Sequence, residues 1–226
     1  MRIFISDRVP SGDEEMSQIK MFSKEKRIPF NTVAHKKINS HVGEVNDQGI
    51  IALLKKPNYH DFNEWLAALD KEANHAVLIL DHIEDTHNFG AMLRSAAAVG
   101  AAGVIVSKDH QAPLNATVFK TSAGAATKVP VVQVSNINQS ITRLQEEKFW
   151  VAAVDMPEKK SDLVWNHNFD TPMAFVLGSE GRGVAQRTKE LCDFTVGLPL
   201  ENEVESLNVS VAAACILYEW KRQQSL

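Results

Sequence analysis

Three polar loops carry the residues whose types and spacing could do chemistry. The first runs from Asp81 to Ala96, through Asp85, Asn88 and Gly90 to Arg94. Asn88 stands where it could cap a helix expected from Gly90 to Val99, and Arg94 falls about one turn inside it among small apolar neighbours. A guanidinium there needs a partner. A salt bridge to Glu84 or Asp85 would serve, and so would an anion such as a phosphate. The second loop, Leu177-Gly178-Ser179-Glu180-Gly181-Arg182-Gly183-Val184, has glycines that let a ligand approach the backbone. No Gly-Lys-Ser/Thr follows, so it is not a Walker loop, and the spacing departs from the dinucleotide fingerprint. Glu180 would repel a pyrophosphate, so a ligand with a neutral or positive portion fits better. The third stretch passes from Gly197-Leu198-Pro199-Leu200 through Glu201 to Glu205 into Ser206-Leu207-Asn208 and a run of small residues. Pro199 ends strand pairing because it has no N–H to donate. Ser206 reads as the N-cap of a helix from Leu207 to Lys221. Taken singly, the third stretch is equally well a final strand and a packed helix.

Other chemistries find less support. His82 and His87 are not on one helical face, and no cysteine or carboxylate completes a metal set, so they read as surface loop residues. Ser179 and Ser206 have no His partner of the kind a hydrolase nucleophile needs. Cys192 and Cys215 sit in apolar segments without a paired spacing, as reduced thiols of a cytosolic protein do.

Composition sets the frame for these loops. The chain has 226 residues, 44% hydrophobic and 23% charged, which suits a globular protein of one large or two small domains. No apolar run reaches the length of a membrane span, and the N-terminal residues Met1 to Asp7 are too short and charged a stretch for a secretory signal. The net charge of −4 argues against a protein coated with basic residues. Residues 20–60 nonetheless hold eight positive side chains (Lys20, Lys24, Lys26, Arg27, Lys36, Lys37, Lys55, Lys56) against Glu25, Glu44 and Asp47. A solvated helix face is the usual meaning of such a bias; an RNA-facing patch is the alternative.

The elements that must position the loops follow from hydrophobic pattern. The first residues read as a small α/β unit: strands at Arg2–Ser6, Pro29–Val33 and Gly49–Leu54, and helices near Asp13–Glu25 and Lys36–His41, with a turn at Ser11-Gly12-Asp13. Tyr59 to Asn74 is polar and helical and reads as a joint. From Ala76 onward, Ala76–Leu80, Gly103–Val106, Val129–Val134, Phe149–Val154, Ala174–Leu177 and Phe194–Val196 are unbroken apolar runs. Runs without alternation mark strands buried on both faces, as in a parallel sheet. Helical stretches lie between them, at Leu114–Thr121, Ile137–Glu147 and Val184–Glu190 besides the one after Asn88. The result is an α/β doubly wound sheet, whose loops at the carboxyl ends of strands bind ligands.

In this order, the three loops resemble the SpoU (TrmH-like) family of RNA ribose 2′-O-methyltransferases, in the SPOUT superfamily. The resemblance rests on Asn88-x-Gly90-Ala91-x-x-Arg94, on Leu177-Gly178-Ser179-Glu180-Gly181-x-Gly183, and on Leu198-Pro199-Leu200 through Ser206-Leu207-Asn208-Val209-Ser210-Val211-Ala212. Ser122-Ala123-Gly124-Ala125 before Val129-Pro130-Val131 also fits, and the match spans Val77 to Trp220. Residues 1–70 are similar to the L30e-like substrate-binding domain that often precedes this catalytic domain, truncated at its start. Where relatives have His-Gln-Gly, this chain has Asp47-Gln48-Gly49. Where the family has glycine in the third motif, it has Asn202, which tolerates positive φ better than most residues.

The resemblance implies a SPOUT-type α/β-knot over residues 71–226, with the final helix passing through a loop. It implies S-adenosyl-L-methionine as cofactor, held mostly by backbone near Leu177, Gly178, Gly183, Leu198, Leu200 and Leu207. Arg94 takes the catalytic role, with Asn88, Glu180, Ser206 and Asn208 orienting substrate and loops. Arginine stays protonated in proteins, so Arg94 is expected to hold the phosphate beside the ribose rather than act as a base. Relatives are homodimers whose site is completed across the interface; no metal or membrane is involved. Ribosomal RNA is the favoured substrate, with guanosine as the target. Transfer RNA, a small-molecule substrate and an inactive RNA-binding member of the fold stay open.

Overall fold

The computed structural model describes residues 1–10, 14–42, 49–53, 59–179 and 181–224. It divides into two compact units, 1–58 and 59–226. The turn at 11–13, Glu44, Asp47, Gln48, Lys55, Lys56 and Glu180 lie outside the described residues.

In the first unit, β1 (Arg2–Ser6) runs parallel to β2 (Phe30–Val33) and antiparallel to β3 (Ile50–Leu53), in the order β2-β1-β3. Helix α1 (Glu14–Glu25) opens with Glu14 and Glu15 and has Lys24 in its last turn, charges that match the helix dipole at both ends. Helix α2 (His35–Val42) buries Ile38 against Phe4, Ile51 and Val33.

The second unit begins before the expected boundary at 70/71, since the Tyr59–Asn74 segment packs within it. Its short helix α3 (Phe62–Ala67) is capped by Asp61, whose side chain accepts from the Asn63 and Glu64 N–H groups. Trp65 Nε1 donates to the Ala102 carbonyl at 3.0 Å, and its ring lies against Gly103, where a Cβ would come within 2.8 Å.

Six strands follow: β4 (Ala76–Leu80), β5 (Gly103–Ser107), β6 (Val131–Val134), β7 (Trp150–Val154), β8 (Met173–Leu177) and β9 (Phe194–Val196). They form one sheet in the order β6-β5-β4-β8-β7-β9, with every pairing parallel. Helices cover both faces, as unbroken apolar strands require. On one face, α4 (Thr86–Val99) and α8 (Val209–Gln224) bury Phe89, Met92, Leu93, Ile216, Leu217 and Trp220 against Leu78, Leu80, Phe175 and Leu177. On the other, α3 and α6 (Ile137–Glu146) bury Trp65, Leu66, Ile141 and Leu144 against Val77, Ile79 and Val176. Shorter helices α5 (Ala116–Thr121) and α7 (Gln186–Lys189) complete the set. Among the described residues no helix is long and apolar enough to cross a membrane.

The strand order locates the site. Winding proceeds from β4 through β5 to β6, and the chain then returns to build the other half, so the order reverses beside β4. Leu80 pairs in register with Leu177, so the loops leaving β4 and β8 start side by side. A crevice at the carboxyl ends of the strands is where such folds bind ligands.

Candidate functional site

The first loop leaves β4 at Asp81 and turns into α4. Asp85, rather than Asn88, caps this helix, accepting from the His87 and Asn88 N–H groups at 2.6 and 2.9 Å. Both residues are competent caps, and the helix simply starts four residues earlier than the expected Gly90. The Asn88 N–H is the main reason that the Asp85 carboxylate sits below its ordinary pKa; that of His87 adds to it against an opposing desolvation. Arg94 is therefore more than two turns into α4, exposed, and in no ion pair with Glu84, Asp85 or any other described residue. Glu84 instead meets His110.

The third loop also has a cap different from the expected one. Helix α8 starts at Val209, and Asn208 Oδ1 accepts from the Ser210 N–H at 2.9 Å and the Val211 N–H at 3.4 Å. Ser206 and Leu207 are exposed residues of the loop before it. Capping orients Asn208 so that its Nδ2 donates to Asn88 Oδ1 at 3.0 Å. Residues 120 positions apart in sequence thus join the ends of α4 and α8.

In the second loop, Gly178 is buried, and a Cβ on it would run into the Gly183 carbonyl. The Gly183 N–H donates to the Ser179 carbonyl at 2.9 Å, and Gly181 and Gly183 hold φ of 116° and 64°. Glycine is needed here for both close approach and backbone angle. Gly197, after β9, is similarly tight against the Asp155 carbonyl, and it bonds Asp162 and Val164 through its N–H and carbonyl.

A cavity of about 790 Å³ opens between the first two loops, lined by Asp81, Asn88, Ser179, Arg182 and Gly183 and by His82 and His110. His82 is exposed, as the sequence suggested, and also lines the cavity; His110 was not singled out from sequence. Their meeting depends on two loops converging, and no local pattern signals that. Of the residues expected near a cofactor, Leu177 is buried and Leu198 packs against the same core. Leu200 is half-buried, and Leu207 is exposed. Arg94, Leu198, Leu200, Leu207 and Asn208 lie outside the cavity lining.

The donor set suits a cationic sulfonium. Between Gly197 and Asn208 there is no Lys or Arg, and Glu201, Glu203 and Glu205 are exposed carboxylates of that loop. Asn202 and Glu203 hold φ of 55° and 58°, so the position where Asn stands for glycine is indeed left-handed. Among the described residues no group of three or more His, Cys, Asp or Glu side chains is placed to hold a metal.

Comparison with known proteins agrees with this layout. A profile described as the SpoU rRNA Methylase family matches residues 75–218. A Staphylococcus haemolyticus protein named as of the TrmH family of tRNA/rRNA methyltransferases is 36% identical over 214 residues, covering 93% of this chain and 84% of its own. YacO of Bacillus subtilis, named in the same way, is 33% identical over 225 residues, 99% of this chain and 88% of its own. The crystal structure of the SpoU methyltransferase AviRb from Streptomyces viridochromogenes, in complex with AdoMet, superposes with a TM-score of 0.78 at 22% identity, over 99% of this chain and 83% of that one. A structure described as an RNA 2′-O ribose methyltransferase gives 0.73 at 22% identity, over 100% and 81%. These two share the fold. By its profile match and its relatives, the chain belongs to the SpoU rRNA methylase family.

Proposed function

We propose that the chain is an S-adenosylmethionine-dependent RNA methyltransferase that methylates a ribose 2′-hydroxyl of ribosomal RNA, with guanosine as the favoured target. The observation that carries this reading is the Asn208–Asn88 hydrogen bond, which draws the first and third motifs together beside the loop of the second. S-adenosylmethionine would supply an electrophilic methyl group on a sulfonium, whose departure as a thioether needs neither acid nor metal. The loops at Gly178, Leu198 and Leu207 would hold it through main-chain groups, assisted by the acidic stretch from Glu201 to Glu205.

What the residues must then do is orient a poorly acidic hydroxyl and favour loss of its proton. Arg94, charged and unpaired among the described residues, would hold the phosphate beside the ribose. Asn88, Asn208, Ser206 and Glu180 would orient the loops and the sugar. Arg94 lies outside the lining of its own cavity, which suits a site completed by a second copy. The exposed apolar side chains Val211 and Tyr218, on one face of α8, suit such a homodimer. In this reading the first unit, residues 1–58 with their basic excess, forms an L30e-like RNA-binding domain. Tight backbone packing at Gly197 fits the knotted chain end, and the protein works in the cytoplasm.

Calorimetric titration with S-adenosylmethionine, followed by transfer of its tritiated methyl group to RNA, tests the reading. Binding with transfer to ribosomal RNA is expected. Binding of RNA without any uptake of S-adenosylmethionine would leave an RNA-binding protein that keeps the fold without the chemistry.

A further inference from the structure

Two imidazoles in the cavity have no part in the chemistry above. His82 leaves the end of β4 and His110 follows β5, yet their rings stack with centroids 5.3 Å apart and planes 23° apart. Each ring is held by a carboxylate: His82 Nδ1 is 2.6 Å from Asp81 Oδ1, and His110 Nδ1 is 3.3 Å from Glu84 Oε1. A carboxylate can only accept, so Nδ1 carries the proton in both rings. The loops themselves are tied where the Ala112 N–H donates to the Ile83 carbonyl at 2.8 Å. Both histidines also take left-handed backbone angles, φ 63° and 53°, which a residue with a Cβ enters at a cost.

Burial does not account for this arrangement. The two side chains remain 52% and 67% exposed, so the stack removes little apolar surface from water. What it creates is a flat, edge-anchored aromatic surface on the wall of a cavity. Around it stand the carboxylates of Asp81, Glu84 and Asp85 and the guanidinium of Arg182. A phosphate would meet more negative than positive charge there. An uncharged planar ring would not.

We propose that the His82–His110 stack seats a nucleobase of the RNA, which enters the cavity and lies on the open face of the pair. Unpaired bases are recognised in this way, by stacking on aromatic rings, histidine among them. The carboxylates hold the ring planes in position, so the face rather than a ring nitrogen does the binding. The inference rests on the RNA-methyltransferase reading and adds a subsite to it.

The test compares His110→Ala and His110→Phe with the unmodified full chain. Methyl transfer to in-vitro-transcribed ribosomal RNA gives KM for RNA, and calorimetry gives S-adenosylmethionine affinity. Stacking on one base corresponds to roughly a tenfold effect. His110→Ala should raise KM for RNA by about that factor, His110→Phe should restore it, and S-adenosylmethionine affinity should hold in both. A Phe variant as impaired as the Ala variant, or an Ala variant with unchanged KM, overturns the stacking seat while leaving the methyltransferase reading in place. Uptake of S-adenosylmethionine with no binding of RNA by the unmodified chain overturns both.

Discussion

Arg94 projects from α4 with no ion pair among the described residues, so removing it should disturb the fold little and the chemistry greatly. In Arg94→Ala, methyl transfer is expected to fall on the order of a hundredfold or more, the scale on which preorganised charged groups act. S-adenosylmethionine binding and the melting temperature should stay close to the parent's. Loss of binding with normal turnover at saturation would remove Arg94 from the catalytic role. Asp85 has a structural task in the same loop. As the cap of α4 it should contribute about 1 kcal/mol, lost in Asp85→Ala. Its folded-state pKa is depressed, so the charge-dependent part of that stability is present above the unfolded carboxylate value and vanishes as the pH falls through the folded one. Asp85→Asn keeps an acceptor, so its melting temperature should approach the parent's once the pH falls below the depressed folded-state pKa of Asp85, with any gap confined to higher pH. A gap that widened on acidification would contradict the assignment. Both helix caps were placed wrongly from sequence for one physical reason. Asp85 and Asn88, like Ser206 and Asn208, are all cap-competent, and only the start of the backbone helix chooses between them.

At the scale of elements, the loops depend on how closely the backbone can pass. Gly178 is the tightest test, because a methyl group there meets a carbonyl rather than a movable side chain. Gly178→Ala should cost about 3 kcal/mol, the upper end of what overpacking costs, read as a drop in melting temperature. It should also weaken S-adenosylmethionine binding; a variant as stable as the parent would mean that the loop has room to give. All six strands of the large sheet were legible, because each is a mostly apolar run, broken only by single residues such as Gln133 and Thr195, and Phe194–Val196 matches to the residue. Their order was not, since burial on both faces says nothing about which strand lies beside which. The pairing of Leu80 with Leu177, which sets the first two loops side by side, is long-range and leaves no local trace. Helix starts were the least legible feature: α4 begins earlier than expected and α8 later.

For the whole molecule, the sequence conveyed a catalytic region preceded by a small basic unit, and the compact units divide at 58/59. The Tyr59–Asn74 segment looked like a joint because its outward residues are polar. Trp65 and Leu66, which tie it to the second unit, are too few to reveal that from pattern. The homodimer is the remaining claim at this scale. Sedimentation velocity should give twice the mass of the chain, and Tyr218→Glu, which sets a charge in the exposed apolar face of α8, should shift the protein toward monomer and reduce methyl transfer in parallel. Full activity in a monomeric variant would contradict a site shared between copies.

The methyl group is expected to arrive on a ribose oxygen. The most direct measurement is nucleoside mass spectrometry of ribosomal RNA, digested after incubation with the purified chain and isotopically labelled S-adenosylmethionine. Label is expected in a 2′-O-methylnucleoside, with 2′-O-methylguanosine favoured, and on the order of a hundredfold less of it when Arg94 is replaced by alanine. Label confined to a base ring, or absent from RNA while S-adenosylmethionine binds, would contradict it.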